Sequence, residues 1–100
     1  MRIFLVNSAG KTELPAENGK HSLTLYNNYI LLEADAQSDV RVETIYDDYI
    51  VVKEGVATVP IRWDKEEKSA VTIRCGGKTV KYQFQLIRKI GKAGYGEYVR

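Results

Sequence analysis

Across residues 79–86 polar and apolar side chains alternate without a break. Val80, Tyr82, Phe84 and Leu86 share one parity, and Thr79, Lys81, Gln83 and Gln85 share the other. A period of two is that of a β-strand, whose successive side chains leave opposite faces. One dry face and one wet face suit an antiparallel sheet, because parallel sheets are covered on both sides. Residues 69–75 form a second β-rich run that ends at Gly76-Gly77. Two glycines in that position predict a tight hairpin, since primed turns need the positive φ that glycine adopts without strain. With these two as the turn, Cys75 pairs with Lys78, Ile73 faces Val80, and Val71 faces Tyr82. Turn and pattern therefore select one register.

The remaining chain breaks into similar short runs. Residues 56–63 alternate Val59, Ile61 and Trp63 against Thr58, Pro60 and Arg62. Pro60 cannot donate to a ladder, which places this run at a sheet edge. Residues 40–46 and 49–53 flank Asp47-Asp48, and residues 22–26 and 29–34 flank Asn27-Asn28, both pairs being turn formers. Residues 2–6 open the chain. The sum is seven to eight strands with turn chemistry at a spacing of roughly 8–12 residues, the rhythm of sandwiches and barrels. Residues 63–68 offer one helical turn with Asp64 as its cap, but no amphipathic stripe follows. The Pro and Gly of residues 14–19 predict a loop.

The expected fold is all-β: an antiparallel immunoglobulin-like or fibronectin-like sandwich over residues 1–90, with a small SH3-like or OB-like barrel as the alternative. Residues 91–100 are expected to form a flexible glycine- and tyrosine-rich tail. At 100 residues there is material for one core, and the single cysteine allows no internal disulfide. No apolar run reaches the length of a secretory h-region or a membrane span, so membrane insertion is not expected. A cytoplasmic protein is the plain reading, with an excised domain of a secreted protein as the other.

Residues with catalytic potential are sparse. His21 is the only histidine and has no neighbours in sequence that would give it a task. Cys75 falls on the inner parity of its strand and reads as a small core hydrophobe rather than a nucleophile. The acids Glu33, Asp35, Asp39, Asp47 and Asp48 lack the calcium-loop pattern and read as turn residues. The tail around Gly94-Tyr95-Gly96 faintly echoes an aromatic RNA-binding motif, but Glu97 stands where a stacking aromatic belongs. No enzyme, metal or cofactor is expected.

Two features point to binding. Residues 1–54 carry five basic and nine acidic side chains, residues 55–100 ten basic and four acidic, and no acid lies between Lys68 and Lys92. Such a split favours an anionic partner. Arg74, Lys78, Lys81, Arg88, Lys89 and Lys92 are the candidate contacts for nucleic acid or another polyanion, although Tyr82 and Phe84 lie on the core-facing parity and cannot stack on bases. Four of the seven tyrosines, Tyr26, Tyr29, Tyr46 and Tyr49, flank turns. Tyrosine there supplies rigid amphipathic area with few rotamers to freeze. These four are the candidate contacts for a protein partner or a second copy. The leading expectation is a non-catalytic interaction or structural module, such as a component of a viral or cell-surface assembly.

Overall fold

The computed structural model describes residues 1–33, 39–53 and 55–87. Within them the strands are Arg2–Asn7 (β1), Gly10–Leu14 (β2), Gly19–Leu23 (β3), Tyr29–Glu33 (β4), Asp39–Glu43 (β5), Tyr49–Lys53 (β6), Val56–Pro60 (β7), Lys68–Cys75 (β8) and Lys78–Leu86 (β9). The described residues contain no helix. Four strands form one sheet in the order β2-β1-β4-β7, and five form a second in the order β3-β9-β8-β5-β6. No ladder joins the two among the described residues, so each keeps two edges, unlike a closed barrel.

The β8–β9 hairpin has the expected register, with Cys75 opposite Lys78, Ile73 opposite Val80 and Val71 opposite Tyr82. Gly76 carries the positive φ, at 59°. β7 lies at a sheet edge, as Pro60 requires.

One core cluster draws on both sheets. Ile3, Leu14, Ile30, Leu32 and Val59 come from the four-stranded sheet, while Val40, Val42, Val71, Ile73, Val80, Tyr82 and Phe84 come from the five-stranded one. Tyr82 is wholly buried, and its hydroxyl donates to the Pro15 carbonyl at 2.5 Å. The 15–18 loop is tied a second time where Asn18 Oδ1 accepts the Lys81 amide at 2.8 Å.

Four expectations need correction. The fold is not purely antiparallel: β3 runs parallel to β9, with His21 beside Phe84. After β2 the chain crosses to the other sheet, and β3 enters it in the direction of β9. Among the described residues the strands number nine, because β2 is an additional edge strand whose one core residue, Leu14, leaves no alternation to read. The expected 22–26 strand lies instead at Gly19–Leu23. Residues 63–68 hold no helical turn; Asp64 Oδ1 instead accepts the amides of Glu66 at 2.7 Å and Lys68 at 3.0 Å.

Strand 3 stops early because Asn28 organises the chain after it. Asn28 is buried, its side chain donates to the Leu25 carbonyl, and its carbonyl accepts the Ile61 amide at 3.1 Å. Asn28→Ala leaves the Leu25 carbonyl without this donor and is expected to cost about 2 kcal/mol. A urea titration measures the loss; a change under half that size contradicts this role.

The β5–β6 connection, residues 44–48, closes around a three-residue turn at 45–47. The Thr44 amide donates to Asp48 O at 3.1 Å, the Asp47 amide to Thr44 O at 3.3 Å, and Asp47 sits at φ 61°. This is a type I turn closed by a left-handed residue, the position that favours glycine. Asp47→Gly is expected to raise stability by about 0.5–1 kcal/mol, seen as a higher urea midpoint at unchanged slope.

Candidate functional site

The four tyrosines singled out from the sequence fall into two groups. Tyr26 and Tyr46 are both held by Trp63. The Tyr26 and Trp63 rings meet edge to face at 6.1 Å, and Trp63 Nε1 donates to Tyr26 O at 3.3 Å. The Tyr46 hydroxyl donates to Trp63 O at 2.7 Å, and the Tyr26 hydroxyl donates to the Glu67 carboxylate. Arg62 lies over the Tyr46 ring at 4.7 Å and pairs with Asp48 at 2.6 Å. The Thr44 hydroxyl, and after it Arg62, hold the Asp48 carboxyl below the usual carboxylate range. These two tyrosines brace their own loops.

Tyr49 belongs to a different setting. It opens β6, the edge of the five-stranded sheet, and is 57% exposed. The next two residues, Ile50 and Val51, are also exposed, at 42% and 45%. Across the gap between the sheets lies β7, where Val56 is exposed. Between the two edges is a cleft of about 90 Å³ lined by Val42, Tyr49, Ile50, Val59, Pro60 and Arg62. Apolar side chains on both parities explain the exposure: Ile50 shares the core parity with Val42, and Val51 faces outward opposite Arg41.

The other edges differ. β2 carries Lys11 and Glu13, β3 carries Lys20, and β7 ends in Pro60. Charge and proline blunt an edge against pairing with another chain. In β6 the only charged residue is Lys53, at its end.

Tyr29, the fourth, lies on the outer face of the four-stranded sheet, opposite Val6 and Pro60. Part of that face is closed by the protein itself. Phe4 is buried beneath Arg2 and Lys11, which stand 4.9 and 4.5 Å from its ring. Glu33 pairs with both cations, at 3.5 and 4.0 Å.

Of the six cations singled out, Arg74 and Lys81 lie on the outer face of the five-stranded sheet and Lys78 at its rim beside Gly77. Arg88, Lys89, Lys92 and the 91–100 tail lie outside the described residues. Two cations from the acidic half join this face. Arg41 stands directly opposite Arg74 on the neighbouring strand, and Lys20 stands beside Gln83 at the β3 edge. The parallel β3–β9 pairing and the β5–β8 pairing bring them there, and sequence spacing gives no sign of either.

His21 packs half-buried against Tyr82 and Phe84, with ring centroids 5.6 and 5.9 Å away. Cys75 is partly buried against the core, as its parity implied. Among the described residues no three of His, Cys, Asp or Glu gather as metal ligands, and no helix is long and apolar enough to cross a membrane. Comparison with protein-family models, with curated proteins and with solved structures gave no match.

Proposed function

We propose that this chain is a non-catalytic protein-interaction module that assembles by strand addition at β6, and that the added strand is β6 of a second copy. The observation that carries this reading is an end strand with exposed Tyr49, Ile50 and Val51 and no charge before its last residue. An unpaired edge offers a row of backbone donors and acceptors, so an added strand gains affinity from main-chain hydrogen bonds and specificity from nearby pockets. The cleft beside Ile50 is such a pocket.

The sequence of β6 suits its own copy. An antiparallel register centred on Val51 sets Tyr49 opposite position 53 and Ile50 opposite position 52. In that register Val51 meets Val51 and no like charges oppose each other. Self-pairing makes a two-fold, isologous contact, the commonest route to a homodimer.

We further infer that the two sheets are an immunoglobulin-like sandwich. The order β9-β8-β5-β6 matches the G-F-C-C′ order of variable-type domains, and β1-β4-β7 matches A-B-E. Cys75 on β8 has no partner cysteine, so core packing takes the place of the inter-sheet bridge.

Sedimentation velocity of the purified chain tests the assembly reading. An interface this small is weak, so a monomer–dimer equilibrium is expected to develop between about 10 μM and 1 mM. Because the contact is apolar, raising the salt leaves it nearly unchanged. A monomer throughout that range contradicts the proposal.

A further inference from the structure

We propose that the outer face of the five-stranded sheet is a binding site for single-stranded nucleic acid, distinct from the backbone edge of β6, with Tyr49 common to both. Four cations cross the sheet on a diagonal: Lys20 on β3, Lys81 on β9, Arg74 on β8 and Arg41 on β5. The ladders fix their order. Lys20 is beside Gln83, two residues from Lys81; Lys81 is opposite Thr72, two residues from Arg74; Arg74 is opposite Arg41. Direct and diagonal neighbours on a sheet lie about 5–8 Å apart, a spacing that suits the successive phosphates of an extended strand.

The protein neutralises this row of cations only in part. Arg41 and Arg74 are like charges placed directly opposite each other, which destabilises a sheet. Glu43 answers Arg74 at 3.4 Å. Arg41 instead lies over the Tyr49 ring at 4.9 Å. No ion pair forms at Lys20 or Lys81 among the described residues.

Beside Lys20 the face is concave. A trough of about 720 Å³ is lined by Lys20, Ser22, Lys68, Gln83 and Gln85, with the apolar Ala70 and Ile87 beside them. At the other end of the diagonal, Tyr49 puts an exposed ring beside Arg41 on the same face. Cations tracking a backbone, with an aromatic within reach of a base, are the two parts of single-strand recognition. The β8–β9 hairpin alone lacks the aromatic part, since Tyr82 and Phe84 face the core. Among the described residues no helix or ribbon projects from this face to enter a duplex groove.

Fluorescence anisotropy with labelled oligothymidylate tests the site, using inorganic polyphosphate and polyglutamate as competitors. Four phosphate contacts to a single strand predict a salt slope near −3, hence about 50-fold weaker binding at 200 mM than at 50 mM salt. The double reversal R41E/K81E is expected to weaken binding more than tenfold, with Lys65→Glu, an exposed cation in the 61–67 loop, leaving it within about twofold. Circular dichroism shows whether each variant is folded, and Arg41→Gln with Lys81→Gln gives a milder pair if the reversal is not. No binding, a flat salt response, or equal losses from R41E/K81E and Lys65→Glu overturn the site. Polyphosphate or polyglutamate competing as well as unlabelled oligothymidylate at matched charge overturns its assignment to nucleic acid. Unchanged binding by protein that remains monomeric supports its independence from β6.

Discussion

Replacing Tyr82 with alanine is expected to unfold the chain near physiological temperature. The side chain is wholly buried between the sheets, and its ring meets His21 and Phe84. Emptying an aromatic site costs about 3–5 kcal/mol, and the Pro15 carbonyl loses its donor as well. Small domains hold only about 5–15 kcal/mol in total. At roughly 4–8 °C per kcal/mol, the melting midpoint should fall by about 20 °C or more.

Tyr82→Phe separates the hydroxyl from the ring. It keeps the packing and should cost about 1–2 kcal/mol. It should also remove an alkaline dependence. Burial, with a smaller push from Glu17, raises the Tyr82 pKa from 10.0 to about 12. The folded state therefore disfavours the phenolate. Its contribution is fully present below pH 10, where both states hold the proton, and is lost as pH rises from 10 towards 12. Urea midpoints at pH 9 and pH 11.5 should separate for the wild type, and separate less for Tyr82→Phe. Equal separations contradict a buried, hydrogen-bonded hydroxyl.

Val51→Lys is expected to abolish self-association while leaving the fold in place. Val51 points outward opposite Arg41 and is 45% exposed, so the new like charge should lower stability by up to about 1 kcal/mol and leave the fold standing. Across the two-fold axis the new lysines oppose each other. Like-charge juxtaposition costs several kcal/mol, so the dimer should weaken by roughly 100-fold or more. Val51→Thr keeps β-propensity without charge and should still associate. A Val51→Lys protein that dimerises like the wild type places the contact elsewhere.

The parts of the fold readable from sequence are those whose signal is local. The β8–β9 hairpin announces itself in eight alternating residues and a double glycine, and its register follows from parity. Pro60 marks an edge because a missing amide is a local fact. What stayed hidden depends on pairing between distant segments. Nothing within residues 19–23 indicates a parallel partner 63 residues downstream, and with a single core residue β2 gives no alternation.

The candidate sites divide in the same way. Tyr49 was legible as a tyrosine at a turn, and the unbroken Tyr-Ile-Val-Val run after it signalled a strand apolar on both faces. That run, and not the number of tyrosines, is the feature that points to the edge. Tyr26 and Tyr46 looked equivalent to Tyr49, yet Trp63 engages them, and only the fold brings Trp63 between their loops. Arg41 sits among acids in the sequence and beside Arg74 in the sheet, so charge counted along the chain missed it.

Amide hydrogen exchange followed by NMR at low and high protein concentration tests the β6 assignment most directly. Strand addition predicts that residues 49–53 exchange more slowly at high concentration while the edges β2, β3 and β7 do not change. Exchange in β6 that is indifferent to concentration, or protection that appears at another edge, contradicts it.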